Sequence, residues 1–299
     1  MERISYLCTK EDDGLEVLTL LRREFRLSTN LLRQLKVTED GITLDGVRVT
    51  VRHTVAAGQT LSVLREPQSG KEKRVEPIAG ALDIVYEDAD LMILNKPSGL
   101  AVHPSPGHYD GDTLGNRVVY HLAQRGENPT FRAINRLDRG TSGLLTIAKN
   151  KLSAQRLEQQ LAEKGIRRTY HAVCEGVGLS ECGTIDLPIG KLEGCGIRRC
   201  VREDGQRAVT HYRVLREQNG RTLLEIQLET GRTHQIRCHF SHLGYPLCGD
   251  FMYGQEIEGM DGFALHSCAI TLTQPMTGAP LAFTAPDPER FRLLLEGRL

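Results

Sequence analysis

The stretch INRLDRGTSGLLTIAKN, Ile134 to Asn150, opens polar and closes as a short apolar run. The run Gly143 to Ala148 is long enough for one buried strand and too short for a helix of ordinary length. Ahead of it, Asp138 stands between Arg136 and Arg139, and Thr141, Ser142 and Gly143 follow as turn-forming residues. Cations beside a carboxylate favour its charged form. A positioned, ionised carboxylate can act as a nucleophile. A structural ion pair would use the same residues, so the stretch alone predicts a loop leading into a buried strand and leaves both readings of Asp138 open.

The chain on either side alternates between strand and helix patterns. Upstream, DIVYEDADLMILNK gives two strand-like runs, Ile84–Tyr86 and Leu91–Leu94. NKPSGLAVHP, Asn95 to Pro104, reads as a rigid loop. TLGNRVVYHLAQ reads as a helix with Leu114, Val118 and Leu122 on one face and Asp112 or Thr113 as its cap. Downstream, KLSAQRLEQQLAEKG is a helix with Ala154, Leu157 and Leu161 inward and Gly165 past its end. RRTYHAVCEG, AVTHYRVL and RTLLEIQLET read as strands. In the last, Leu224, Ile226 and Leu228 alternate with Glu225, Gln227 and Glu229, as in a half-buried strand. GRTHQIRCHFSHLGYPLCGD is turn, helix, turn, and ALHSCAITL and PLAFTA close the chain as strands. This order predicts an α+β domain around a mixed or antiparallel sheet, over residues 78–299.

A smaller unit precedes it. Within residues 14–64, EVLTLLRREFRLSTNLLRQLKV carries Leu18, Leu21, Phe25 and Leu32 near helical spacing, and Ser28 or Thr29 suits a helix cap. DGITLDGVRV follows as a hairpin turning at Asp45–Gly46. Arg22, Arg26, Arg33 and Lys36 form either a solvated helix face or a phosphate-binding one. The charged, Pro/Gly/Ser-containing stretch 65–77 reads as a linker, which sets the first domain at residues 1–75.

The bulk composition excludes more than it proves. The 299 residues hold 38 Lys and Arg against 38 Asp and Glu, so global charge is silent on nucleic acid and only clustering matters. No apolar run approaches the roughly 20 residues of a membrane-spanning helix, and MERISYLCTKEDDG lacks a signal-peptide core, which predicts a cytoplasmic protein with no membrane partner. The eight cysteines include no CxxC pair and read as reduced thiols. GxxxxGK[ST], GxGxxG and GxSxG are missing, which withdraws sequence support for nucleotide hydrolysis, dinucleotide binding and serine-hydrolase chemistry. Glu229 to Asp250 gathers Arg232, His234, Arg237, His239 and His242. Their spacing is not HExxH, so hydrogen-bonding histidines and phosphate-binding arginines are expected there and no metal.

Together, NKPSGLAVHP, NRLDRGTSGLLTIAKN and GRTHQIRCHFSHLGYPLCGDFMYG resemble the RluA family of RNA pseudouridine synthases, and most of all its RluD-type members. The resemblance runs from about Ile84 to Pro286. The front unit resembles an S4 RNA-binding domain, with Asp45 where Asn is usual and Gln59 where Asp is frequent. Within the synthase motifs, Asn135 replaces a common His, and Gly140 stands where an acidic or polar residue is common. An Arg also replaces a frequent Lys ahead of Tyr170. The resemblance implies that Asp138 is the catalytic aspartate, that Arg237 forms its ion pair, and that Tyr170 packs on a flipped uracil. It implies that Arg136 enters the RNA stack in the uridine's place. Arg22, Arg26, Arg33, Arg139, Arg232 and His234 are then expected to contact RNA. The implied partner is ribosomal RNA of the large subunit, the implied protein is a monomer, and no cofactor is implied. Three rivals remain: a synthase acting on tRNA, an inactive RNA-binding assembly factor, and a glycosidase-like hydrolase pairing Asp138 with Asp250.

Overall fold

The computed structural model describes residues 2–67, 75–104 and 111–299. The N-terminal unit packs α1 (Val17–Arg23) and α2 (Thr29–Val37) on a sheet of β1 (Arg3–Leu7), β2 (Ile42–Leu44), β3 (Val47–Arg48) and β4 (Thr60–Leu64). The strands run antiparallel in the order β1-β4-β2-β3. Ser28 caps α2 by accepting from the Leu31 amide at 3.2 Å, satisfying one of the free donors at the helix start. Asp45 and Gly46 both have positive φ, as a two-residue hairpin turn requires. Leu20, Leu21, Phe25, Leu31 and Leu35 fill the space between helices and sheet. β1 lies inside the expected 1–75 but ahead of residues 14–64, where the sequence pattern places the unit's elements. Ile4 and Tyr6 alternate with Arg3 and Ser5, but over only five residues, and the strand is fixed by pairing with β4 across the whole unit.

The expected linker is fastened at its start. Arg65 Nη1 donates to Asp90 Oδ1 at 3.2 Å, and Glu66 Oε2 accepts from the Lys151 amide at 2.9 Å. Residues 68–74 lie outside the described residues. From the other side, Leu152 inserts into the N-terminal apolar cluster, and Gln155 bonds the Ser28 amide and the Arg26 carbonyl, each at 2.7 Å. A buried leucine stabilises by about 1.5–3 kcal/mol, so this junction is more than a tether.

The second unit is built on a nine-stranded sheet. Its strands are β5 (Ile84–Glu87), β6 (Leu91–Lys96), β7 (Ser142–Ala148), β8 (Arg167–Glu175), β9 (Cys182–Asp186), β12 (Val209–Gln218), β13 (Arg221–Leu228), β14 (Leu265–Thr273) and β15 (Pro280–Thr284). The order is β5-β6-β7-β14-β8-β13-β12-β9, with β15 also on β14. β7 and β14 are parallel and the other neighbours antiparallel. The sheet is thus mixed but mostly antiparallel, as expected. A two-stranded arm, β10 (Ile189–Lys191) and β11 (Arg199–Val201), stands apart from it. The helices are α3 (Leu114–Gln124), α4 (Lys151–Ala162), α5 (Gln235–His242) and α6 (Glu289–Leu295). Of the two cap candidates for α3, Thr113 takes the position and shares a capping box with Asn116, while Asp112 pairs with Arg117. Among the described residues no helix is long and apolar enough to cross a membrane.

All seven residues of β7 are buried, and its pairing positions the site. Gly143 lies opposite Lys96 of β6 and opposite Ser267 of β14, and Ser267 lies opposite Tyr170 of β8. One row across the sheet therefore brings together four strands that are far apart in sequence. A side chain at 143 would lie 2.4 Å from the Ser267 carbonyl oxygen, and φ there is +107°, so glycine is required. The loop carrying Asp138 enters the sheet at this row.

Candidate active site

Asp138 lies on the loop ahead of β7, with its side chain 30 % exposed. α5 supplies its partner. Arg237 is buried, and its Nη1 donates to Asp138 Oδ2 at 3.0 Å. The other edge of the same guanidinium holds Asp250: Nε donates to Oδ2 at 2.6 Å and Nη2 to Oδ1 at 2.8 Å. Such a two-point bond fixes the guanidinium plane as well as its position. Asp250 is fully buried and also accepts from the Met252 amide at 3.1 Å. The guanidinium carbon sits 4.1 Å from the centre of the Phe263 ring and 5.0 Å from that of Tyr253. Burial works against the Arg237 charge, but Asp250 and Asp138 outweigh it and raise its pKa above the ordinary value. Asp250 locks Arg237, and Arg237 aims Asp138.

This geometry decides between two chemistries. A glycosidase-like hydrolase needs a second carboxyl free to give or take a proton at the substrate. Asp250 has both oxygens on Arg237 and no exposed surface, so it anchors the arginine and leaves Asp138 as the accessible carboxylate.

The neighbouring histidines diverge. His234 caps α5 in the left-handed conformation, with Nδ1 3.0 Å from the Tyr253 hydroxyl and Nε2 3.8 Å from Asp138 Oδ2. Burial holds its pKa below the ordinary value, against the pull of Asp138. It forms a wall of the site. His239 bonds Thr210 and the Leu187 carbonyl, and His242 is exposed. Among the described residues no group of three or more His, Cys, Asp or Glu is disposed to hold a metal ion.

Lys96, at the end of β6, escapes sequence reading. It is 1 % exposed, and its Nζ donates to the carbonyls of Pro97 and Leu100 at 2.8 Å and of Arg139 at 3.1 Å. Burial pushes its pKa down to about 7, while Asp138 pulls the other way. One lysine thus clamps the NKPSG loop to the aspartate loop. A lysine two residues past the apolar run LMIL, on the same strand, is the signal that was available, since a buried cation requires acceptors.

Tyr170 is 4 % exposed and belongs to the apolar cluster that includes Leu137 and Phe263. Arg136 is exposed, and its charge, after burial, lowers the pKa of His103 on the neighbouring loop. Arg139 and Arg232 are exposed, but both use Nε internally, on the carbonyls of Gly99 and Arg207. In the N-terminal unit Arg22 donates to the Leu27 carbonyl and to Thr29, stapling the turn between α1 and α2, while Arg26 and Arg33 are exposed.

The RNA pseudouridylate synthase family matches residues 90–242, which contain the Lys96, Asp138, Tyr170 and Arg237 positions. This chain belongs to that family. An uncharacterised RNA pseudouridine synthase of Bacillus subtilis is 39 % identical over 264 residues, covering 87 % of this chain and 86 % of that protein. Ribosomal large subunit pseudouridine synthase D of Pseudomonas aeruginosa is 38 % identical over 272 residues, covering 86 % of this chain and 84 % of its own. The structure of human RNA pseudouridylate synthase domain containing 1 superimposes with a TM-score of 0.58 at 27 % identity, over 72 % of this chain and 87 % of that one. Within the family the chain is of the RluA group and RluD-like. Its activity is the isomerisation of uridine to pseudouridine in RNA.

Proposed function

We propose that this pseudouridine synthase acts on large-subunit ribosomal RNA and that Asp138 is the residue that engages the nucleoside. The target is supported by similarity to the synthase D proteins of Pseudomonas aeruginosa, Xanthomonas campestris and Vibrio vulnificus, whose names assign them to the large ribosomal subunit. The observation that carries the role of Asp138 is the shared arginine: Arg237, locked by buried Asp250, fixes Asp138, the accessible carboxylate of its two partners.

The reaction breaks the bond from N1 of uracil to C1′, turns the base, and joins C5 to C1′. The proton lost from C5 balances the one gained at N1, so no oxidant or reductant is consumed. The target base has to leave its stack, at a cost of a few kcal/mol. Tyr170 would pack on the extruded uracil, a contact of about 1–3 kcal/mol for an aromatic on a base. Arg136, exposed two residues before Asp138, would fill the gap left behind with its flat guanidinium. Arg26 and Arg33 would give the N-terminal unit its phosphate contacts.

Mapping of pseudouridine across ribosomal and transfer RNA in a strain lacking this gene tests the target. The expected result is loss of one or a few large-subunit sites, restored by the gene in trans. Loss confined to tRNA would overturn the proposed target and leave the chemistry standing.

A further inference from the structure

Gly140 follows the catalytic loop at a position where the resembled family commonly has an acidic or polar residue. The structure shows what its bare backbone permits. A Cβ on Gly140 would lie 2.7 Å from Cε1 of Phe263 and 3.1 Å from Cα of Gly262. In return, a Cβ on Gly262, where φ is +72°, would lie 2.6 Å from Cα and 2.8 Å from the carbonyl oxygen of Gly140. The two backbones touch with no side chain between them. Ser98 closes the same junction, with its hydroxyl 2.8 Å from the Gly140 carbonyl and 2.7 Å from that of Asp261. Phe263, the next residue, is 2 % exposed and lies face-on to the Arg237 guanidinium at 4.1 Å.

We infer that Gly140 and Gly262 are positioning residues for the reaction: their backbone contact seats the Phe263 ring beneath Arg237 and so sets the pair that Arg237 makes with Asp138. The reason is steric. An added methyl at 140 has two ways to clear the ring. Phe263 can move, but it is buried and carries Arg237 on its face. Alternatively the loop can back away, and Asp138 is two residues along it. Either route changes the geometry of the Arg237–Asp138 bond, and protein interiors offer little slack for absorbing such a shift. φ at Gly140 is not in the left-handed region, so alanine there meets the neighbours and no backbone strain of its own.

The inference rests on Asp138 as the reacting residue, so Asp138→Asn is measured alongside. Gly140→Ala, Phe263→Leu and their combination are assayed for single-turnover rate at saturating RNA, RNA Kd and thermal unfolding. Gly140→Ala is expected to lower the rate at least tenfold, with Kd near wild type and a lowered unfolding midpoint from the overpacked junction. Phe263→Leu removes Cε1, and its shorter side chain can turn its δ carbons away from the new methyl, which the flat ring, 2.7 and 2.9 Å away at Cε1 and Cδ1, cannot do. It should lower the rate by itself, and adding Gly140→Ala to it should cost less than a further threefold. A Gly140→Ala enzyme at the wild-type rate overturns the inference. So does a loss seen only in Kd, or a full tenfold penalty that persists in the Phe263→Leu background. Should Gly140→Ala fail to fold, Phe263→Leu decides alone, and an unchanged rate at saturation overturns the inference. An inactive Asp138→Asn beside a fully active Gly140→Ala refutes only the positioning role, whereas an active Asp138→Asn refutes the reading beneath it.

Discussion

Asp138→Asn should lower pseudouridine formation on a substrate RNA by a factor on the order of 10⁴, the scale seen when a residue essential to the reacting unit is removed. The substitution keeps the shape and deletes the charge. Asp138 is partly exposed and is not the group that balances Arg237, because Asp250 does that with two short bonds. Folding and RNA affinity should therefore stay near wild type, with unfolding free energy changed by about 1 kcal/mol, because Arg237 keeps its Asp250 pair and the amide oxygen of the new side chain can still accept from Nη1. Rate at saturating RNA, Kd and thermal unfolding separate these effects. Near-normal turnover would remove Asp138 from the chemistry.

Arg237→Met should damage both stability and rate. It leaves Asp250 fully buried with backbone donors such as the Met252 amide and without its cation. Breaking a buried ion pair from one side costs about 3–5 kcal/mol, because the remaining charge has no compensation. Asp138 loses its 3.0 Å bond at the same time. A second variant divides the two effects. Arg237→Met with Asp250→Leu replaces the pair by apolar groups, a change that is often neutral or stabilising for buried ion pairs. Denaturant unfolding of the double variant should recover most of the loss, and its turnover should remain at the level of Arg237→Met. If turnover recovered with stability, Arg237 would be a folding residue with no part in aiming Asp138.

What could be read in the sequence was local. The apolar run after Asp138 announced β7, and the alternation of Leu224, Ile226 and Leu228 announced β13. Ser28 and the Asp45–Gly46 turn showed themselves by residue type, because caps and tight turns are settled by chemistry within a few residues. The row Lys96, Gly143, Ser267, Tyr170 could not be read, since register between distant strands is written in no short stretch. Asp250 looked like a second acid for a hydrolase because its residue type was visible and its burial was not. Arg22, read as a phosphate ligand, is exposed and also holds the α1–α2 connection through its guanidinium, a local role that the sequence did not show. Short elements such as β1, the β10–β11 arm and α6 were missed because each is fixed by what it packs on, with little signal of its own.

The most direct measurement incubates the purified protein with large-subunit ribosomal RNA, with no cofactor added, and follows both pseudouridine in the RNA and uracil released from it. Isomerisation by Asp138 predicts pseudouridine accumulating at defined positions with no free uracil, and neither product from the Asp138→Asn protein. Free uracil matched by abasic sites, or pseudouridine formed equally well by the Asp138→Asn protein, would contradict it.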